Sequence, residues 1–278
     1  MPRPPPPIVL AFAGSDPSSG AGIQADLLTL AARGCHPLAV VTAITVQDTT
    51  GVEAVQAVEA RWVIEQARRV LDDMSVGAVK IGLIGSSENA AAIARVVADY
   101  VNVPVVLDPV LASGRGDQLA DAETIEALRK HLIPRATVLT PNSIEARRLA
   151  FFDEDGQGAD RALDVTALRL LERGAEFVLV TGTHEPTASV VNTLYGRGGT
   201  IRSDRWDRLP ENYHGSGCTL ASAIAAALAR GLAVPEAVRD AQEYVWQTLV
   251  HGFRPGRGQS LPNRFYWARG GERLGAED

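Results

Sequence analysis

The stretch HGSGCTLASA, residues 214–223, places a cysteine behind two closely spaced glycines where a small-residue helix pattern begins. Gly215 and Gly217 flank Ser216, a spacing that lets successive backbone N–H groups converge on an anion at a helix start. Cys218 then falls in the first helical turn, where the helix dipole favours the thiolate. The same pattern also fits a buried, inert cysteine in a tightly packed helix. The local residues leave both interpretations open.

Two carboxylates follow other apolar runs of the chain. Asp108 comes directly after VPVVL, and Glu145 lies in TPNSIEA. One or two carboxylates together with phosphate oxygens commonly hold a hydrated Mg²⁺. The ordinary alternatives are a capping role for Asp108 and a helix-dipole role for Glu145. Each carboxylate taken singly is therefore a weak indication of a metal site.

These side chains need a scaffold, and the chain alternates short apolar runs with segments of helical periodicity. Strands that are apolar on both faces and alternate with helices predict an α/β fold with a mostly parallel sheet covered on both sides. We expect Asp121 and Ser143 to cap the helices that they open. The predicted strands are 8–13, 38–44, 78–81, 103–107, 137–140 and 177–180, with a hairpin of 189–195 and 200–205 at one sheet edge. The predicted helices are 21–32, 61–71, 88–99, 121–132, a short one from 143, 165–173, 217–230 and 234–250.

Composition and known motifs exclude several classes of protein. The net charge of −6 argues against nucleic acid and anionic membranes as partners. Two cysteines exclude a disulfide framework, and the apolar run at 8–13 is too short for a signal peptide or a membrane span, so we expect a cytoplasmic protein. The glycine-rich loop at 14–22 lacks the dinucleotide-binding spacing, and no phosphate-loop motif occurs. We expect one domain at 8–268, a flexible proline-rich leader at 1–7, a solvated acidic loop at 153–160 and a polar tail at 269–278.

Six motifs follow one another along the chain: AGSDPSSGAGIQADL (13–27), TVQDTTGV (45–52), VKIGLIG (79–85), VLDPV (106–110), TPNSIEA (140–146) and HGSGCTLASAIAAAL (214–228). Together they resemble the hydroxymethylpyrimidine/phosphomethylpyrimidine kinases of thiamine biosynthesis, members of the ribokinase-like superfamily. The first and last motifs are specific, whereas relatives such as pyridoxal kinases share the middle ones. The resemblance covers nearly the whole chain after the leader. It implies a single-domain three-layer αβα fold and a homodimer.

The activity implied by the resemblance is ATP-dependent and requires Mg²⁺. It phosphorylates 4-amino-5-hydroxymethyl-2-methylpyrimidine, and then the monophosphate, to the diphosphate. Matching positions make Cys218 the general base, the amides of residues 215–218 the anion hole, and Asp108 and Glu145 the acidic groups around Mg²⁺. The remaining matched positions are Gln47 on the pyrimidine amine, Gly14, Asp26, Leu83 and Val110 around the ring, and Asn142, Glu145 and Thr181 at the nucleotide.

Thr181 stands where many members carry a lysine that helps to bind the phosphates of ATP. Two other functions therefore stay open beside the pyrimidine kinase. One is a pyridoxal or other vitamin-precursor kinase on the same fold. The other is a non-catalytic, pyrimidine-binding regulatory protein, which Thr181 mildly supports and the intact Asp108, Glu145 and GSGC motif oppose.

Overall fold

One mixed β-sheet organises the computed structural model, which describes residues 5–152 and 161–268. Across it the spatial order is β3-β2-β1-β4-β5-β6-β7-β8-β9. The pairs from β2 through β1 and β4 to β7 are parallel, whereas β3, β8 and β9 pair antiparallel at the two edges. The strands are β1 (Ile8–Ser15), β2 (His36–Asp48), β3 (Gly51–Ala57), β4 (Ala78–Ile81), β5 (Val105–Leu107), β6 (Val138–Leu139), β7 (Phe177–Val180), β8 (Ser189–Gly196) and β9 (Gly199–Asp207).

The mostly parallel sheet and the edge hairpin of β8 and β9 confirm the prediction from sequence. The antiparallel strand β3 at the other edge was not predicted. None of the residues of β3 is fully buried, so its sequence lacks the apolar pattern that marks the inner strands.

Helices cover both faces of the sheet, which confirms the three-layer architecture. In β1, Leu10 and Phe12 pack with α2 to α6, while Val9 and Ala11 pack with α1, α7 and α8. This alternation follows from the two-residue period of a strand. The helices are α1 (Gly22–Ala32), α2 (Ala60–Leu71), α3 (Ser87–Ala98), α4 (Ala122–Ala127), α5 (Ser143–Ala150), α6 (Leu163–Glu172), α7 (Ser216–Ala229) and α8 (Val234–Val250).

Helix starts were predicted correctly in one case and wrongly in another. The side chain of Asp121 accepts a hydrogen bond from the Thr124 N–H at 2.8 Å and caps α4, as expected. The predicted cap of α5 by Ser143 is wrong, because Asn142 is the capping residue and Ser143 is already helical. Asn142 is favoured as the cap because it forms a capping box with Glu145, whose carboxylate accepts a hydrogen bond from the Asn142 N–H at 3.0 Å.

The ends of the chain are described in part. The last residue of the proline-rich leader is held in place, since the Pro7 carbonyl accepts the His36 N–H at 2.8 Å. The predictions for residues 1–4, 153–160 and 269–278 lie outside the described residues. Among the helices of the described residues, none is both long and apolar enough to cross a membrane.

Candidate active site

A cavity of about 790 Å³ opens at the carboxyl ends of the parallel strands. It collects residues that follow β1, β4, β5, β6 and β7, together with the start of α7, as expected for an open α/β sheet. Of the residues proposed from sequence, Asp26 alone is missing from its walls. The predicted residues that line it are Gly14, Gln47, Leu83, Asp108, Val110, Asn142, Glu145, Thr181, Gly215, Ser216, Gly217 and Cys218.

The start of α7 has the geometry of an anion-binding site. Gly215 is the N-cap and has a left-handed backbone conformation, with φ of +82°. A Cβ at Gly215 would overlap the carbonyl oxygen of Gly20, so only glycine fits here. No side chain of the described residues caps this helix, which leaves its first N–H groups available at the cavity. A Cβ at Gly217 would lie 3.9 Å from the Asp108 Oδ1, so the helix start is next to the acidic residue.

A buried contact between His214 and Asp16, which the sequence did not predict, joins the glycine-rich loop to the residues just before α7. His214 Nε2 lies 2.8 Å from Asp16 Oδ2, which also accepts the Ala21 N–H at 2.7 Å. Burial opposes the charge of Asp16, but hydrogen bonds from His214, Ala21 and Ser18 outweigh it and lower its pKa. These contacts hold the two loops in one arrangement.

Arg264 forms a second buried link between the same two loops. Its guanidinium donates to the Thr219 Oγ1 at 3.1 Å and to the Gly20 carbonyl at 2.5 Å. Because a planar fork of donors suits carbonyls at fixed positions, Arg264 locks the glycine loop onto the first turn of α7.

Asp108 and Glu145 form an acidic pair on the cavity floor. Burial raises the pKa of Glu145 to about 8, and the neighbouring charge of Asp108 adds to the rise. Burial likewise raises the pKa of Asp108 to about 6, against the opposing influence of Lys80. Asp108 Oδ2 is buried and accepts no hydrogen bond from the residues described in the structure. A buried carboxylate oxygen with no partner beside a second carboxyl fits a divalent cation.

The chemistry of this pair suits Mg²⁺ better than a metal held entirely by protein. Over residues 5–152 and 161–268 there is no group of three or more histidine, cysteine or acidic side chains that could hold a metal ion. Mg²⁺ characteristically takes one or two carboxylates and fills its remaining positions with water and phosphate oxygens. Asp108 and Glu145 match that need.

Cys218 lies at the cavity, as predicted, but its protonation differs from the expectation. Burial raises the pKa of the thiol to about 12, and Asp108 and Asp26 raise it further although Lys80 opposes them. The thiolate expected at a helix start is therefore disfavoured, because desolvation and two nearby carboxylates act against the helix dipole. Cys35, the other cysteine of the chain, is buried in the hydrophobic core.

Asp26 lies beneath the cavity instead of in its wall. Its Oδ2 contacts the Lys80 Nζ at 2.9 Å, and its Oδ1 accepts a hydrogen bond from Ser222 Oγ at 2.8 Å. Asp26 and Lys80 are fully buried, so the carboxylate serves the lysine and cannot reach a ring in the cavity. The predicted contact between Asp26 and the substrate ring is therefore not supported by its position.

One end of the cavity is bounded by Gln47 and a small apolar wall. The Gln47 amide donates through Nε2 to the Thr45 Oγ1 at 2.6 Å, and Thr45 donates onward to the Ser15 carbonyl at 2.8 Å. Donation by Nε2 leaves the Gln47 carbonyl oxygen free to accept a hydrogen bond from a ligand. Leu83 packs so close to Gly14 that a Cβ there would approach its Cδ2 to 2.9 Å. This end suits a small flat ring that carries a hydrogen-bond donor.

The opposite end is aromatic and was not predicted. Trp206 and Trp246 have ring centroids 6.3 Å apart, and both line the cavity. Gln242 accepts hydrogen bonds from Trp206 Nε1 at 3.0 Å and from Asn192 Nδ2 at 2.9 Å. Thr181 lies on the same side of the cavity, where its N–H donates to the Pro141 carbonyl at 3.0 Å.

The sequence of this chain is similar to those of known proteins over most of its length. A family model described as phosphomethylpyrimidine kinase matches residues 16–263. The chain belongs to that family. A hydroxymethylpyrimidine/phosphomethylpyrimidine kinase of Streptomyces coelicolor is 40% identical over 277 residues, which cover 97% of this chain and 98% of the relative.

Solved structures agree with the kinase family and confirm its ribokinase-like fold. The phosphomethylpyrimidine kinase of Clostridium difficile is 35% identical with a TM-score of 0.74, over 87% of this chain and 99% of that chain. The ADP complex of Bacillus subtilis pyridoxal kinase is 27% identical with a TM-score of 0.85, over 95% of this chain and 99% of that chain.

The site residues that the family motifs did not predict differ in how visible they are in the sequence. Asp16, Lys80 and His214 lie inside quoted motifs, so their positions were marked although their roles were not. Arg264 lies outside every motif. Its partners are a hydroxyl and backbone carbonyls far away in the chain, which leave no pattern to find.

Proposed function

We propose that this member of the phosphomethylpyrimidine kinase family phosphorylates 4-amino-5-hydroxymethyl-2-methylpyrimidine with ATP, and then phosphorylates the monophosphate to the diphosphate. One observation carries the proposal. A single cavity joins a ring-sized end that offers the Gln47 acceptor to the amide-rich start of α7. The curated relatives named for both activities support the two-step reaction.

Gln47 supports an aminopyrimidine as the acceptor. Its free carbonyl oxygen pairs with the exocyclic amine, while the flat ring lies between Gly14, Leu83 and Val110. A site built to hydrogen-bond one polar group discriminates strongly against analogues that lack the group, because its own polar atoms are then left unpaired. The pyridine aldehyde pyridoxal is the second candidate substrate, since pyridoxal kinases are among the structural neighbours.

The chain contributes to phosphoryl transfer mainly by positioning and by charge. The hydroxymethyl oxygen forms a bond to the γ-phosphorus, and the bond from that phosphorus to the β–γ bridging oxygen breaks as ADP departs with the electron pair. Negative charge spreads over the three equatorial oxygens in the transition state. The first N–H groups of α7 face that charge, and losing one such donor typically costs roughly 10²–10³ in rate.

Asp108 and Glu145 would hold Mg²⁺, which neutralises phosphate charge when it is bound. The same neutralisation removes the carboxylate charge that raises the pKa of Cys218 and so favours the thiolate. The Cys218 thiol must first release its own proton to solvent, and the thiolate then accepts the proton of the acceptor hydroxyl as the new bond forms. A loose transition state needs little proton removal before bond formation, so this proton transfer is late.

The aromatic end of the cavity, with Asn142 and Thr181 beside it, binds the nucleotide in this proposal. ADP and ATP-analogue complexes of neighbouring pyridoxal kinases support ATP as the donor. A single kinase domain at 8–268 and a cytoplasmic location, both expected from the sequence, and a homodimer, implied by the family resemblance, complete the proposal. Light scattering of the purified chain tests the dimer.

Release of ADP tests the function when hydroxymethylpyrimidine, its monophosphate and pyridoxal are supplied separately. We expect turnover of both pyrimidines. In Gln47→Leu, KM for the pyrimidine should rise about 10–100-fold, since a polar pair is lost, while KM for ATP should stay unchanged. Turnover of pyridoxal alone would support the second candidate, and pyrimidine binding without any ADP would indicate a regulatory protein.

A further inference from the structure

Lys80 is an unusual residue to find inside a four-residue buried strand. It is fully buried in β4, yet it borders the floor of the cavity. Its Nζ contacts Asp26 Oδ2 at 2.9 Å, and Asp26 is in turn held by Ser222 Oγ at 2.8 Å. The three residues connect β4 to α1 and α7. Ser222 lies four residues after Cys218, one turn along the same face of α7, so this link reaches the helix one turn beyond the proposed anion hole.

The surroundings of Lys80 keep it charged and leave part of it unpaired. Burial opposes its charge, but Asp26, Cys218 and Asp108 outweigh burial and raise its pKa above the ordinary value. An ammonium carries three N–H donors. Among the described residues, Asp26 accepts a hydrogen bond from one of them. Gly82, two residues later, packs against the ammonium, since a Cβ at Gly82 would lie 2.5 Å from the Lys80 Nζ.

A fixed cation in this place has an evident use. Phosphoryl transfer builds negative charge on the equatorial oxygens, and a preorganised charge in a water-poor site stabilises it without reorganisation. Lys80 lines the same cavity as Asp108 and Cys218, which lies in the first turn of α7, and its charge interacts with both groups. Replacing both partners of a buried ion pair by neutral side chains often costs little folding stability. A large loss of kcat in such a variant would therefore report on the reaction.

We propose that Lys80 is a positioning residue for phosphoryl transfer, held by Asp26 and Ser222 as the fixed positive charge beneath the anion hole. It acts on the γ-phosphoryl group through the floor formed by Cys218 and Asp108. This inference rests on the proposed kinase function. In the step it assists, the acceptor oxygen–phosphorus bond forms, the bond to the bridging oxygen breaks toward ADP, and the hydroxyl proton passes to the Cys218 thiolate.

The double variant Lys80→Met/Asp26→Asn tests the proposal, because it removes both charges of this ion pair and leaves neither Lys80 nor Asp26 as an unpaired charge. We expect kcat to fall about 10²–10³-fold, with KM for pyrimidine and for ATP within about threefold of wild type. Arg129→Met is the matched control. Arg129 is also a buried cation paired with a carboxylate, Glu126, but neither residue borders the cavity, so kcat should not change.

A binding measurement separates a role in the transition state from a role in the fold. Aluminium fluoride with Mg²⁺, ADP and pyrimidine mimics the phosphoryl group in transfer. In the double variant the affinity for this assembly should fall as far as kcat falls, while the affinity for ADP alone is retained. Wild-type kcat in the folded double variant, or equal weakening of ADP and the mimic, overturns the proposal.

Ser222→Ala provides a milder version of the same experiment, since it loosens Asp26 and leaves both charges in place. We expect a fall in kcat of about tenfold with unchanged KM values, from the loss of one buried hydrogen bond. If the double variant does not fold, Ser222→Ala with wild-type kcat overturns the proposal. A wild-type protein that releases no ADP with either pyrimidine refutes the proposed function instead.

Discussion

Replacing Cys35 by alanine leaves Cys218 as the single thiol of the chain, so alkylation of that variant reports the protonation of Cys218 directly. Only the thiolate reacts with reagents such as iodoacetamide. Burial places the pKa of Cys218 at about 12, compared with an ordinary 9.0. The structure therefore predicts a slow thiol at neutral pH, in spite of its position at a helix start.

The expected rate can be worked out from these two pKa values. At pH 8 a thiol with a pKa of 9.0 is about 10% thiolate, while a pKa of about 12 leaves about 0.01%, a ratio of about 10³. A more basic thiolate is the better nucleophile, and a Brønsted coefficient of 0.4–0.5 recovers about 20-fold over three units. Cys218 should thus be alkylated about 50-fold more slowly than free cysteine, before any shielding by the cavity wall.

The assay is the alkylation rate of Cys35→Ala between pH 7 and pH 10, followed by mass spectrometry. We expect about a tenfold rise per pH unit without a plateau, since the thiol stays far below its pKa throughout. Mg²⁺ with ADP should shift the profile to lower pH, because the cation neutralises Asp108. A plateau at or below pH 8 in the unliganded protein would refute the reasoning, since it would mean that the helix dipole outweighs desolvation.

Two further predictions concern stability. The folded pKa of Glu145 is about 8 and that of Asp108 about 6, above their ordinary values of 4.5 and 3.8, so both groups bind protons more tightly in the folded state. The free energy of unfolding should therefore fall as pH rises from 5 to 8, by at most about 1.4 kcal/mol per pH unit for each titrating group. Urea unfolding measures this fall, which should be weaker in Glu145→Gln. Gly215→Ala should lose more stability and activity than Gly231→Ala, because both have positive φ but only the Gly215 Cβ meets the carbonyl of Gly20. Equal melting temperatures for the two variants would contradict the close approach at Gly215, and Gly231→Ala should cost about 1 kcal/mol from its backbone strain alone.

How far the fold could be predicted depended on how fully each element is buried. The inner strands are apolar on both faces and were recognised, and α8 begins and ends at the predicted residues 234 and 250. Residues 122–132 are helical, within the predicted 121–132, but Leu128–Leu132 form a π-helical turn. Apolar periodicity does not separate a π turn from an α turn over so short a segment. The exposed strand β3 has no burial pattern to recognise.

The site was predictable where its residues directly follow strands, because the sheet brings those positions to one edge. Asp108 directly follows β5 and reaches the cavity, and Gln47 reaches it from the carboxyl end of β2, which extends beyond the predicted residue 44. Protonation was not predictable in the same way. The pKa of Cys218 depends on desolvation and on carboxylates from β5 and α1, and these distances exist only in the folded chain. Trp206 and Trp246 come from different elements, so the aromatic end also depends on folding.

The lysine inside the apolar strand AVKI is a sequence signal from which a buried ion pair could have been predicted. In a strand with a two-residue period, Lys80 shares its face with Ala78, which lies under α1, α7 and α8. A lysine on a face that is covered in this way must find a carboxylate, since an unpaired buried charge costs several kcal/mol. Asp26 is the acidic residue inside α1, the helix next to β1 and β2. The strand AVKI therefore implied a buried ion pair, and the same reasoning explains why Asp26 serves the lysine and not the substrate ring.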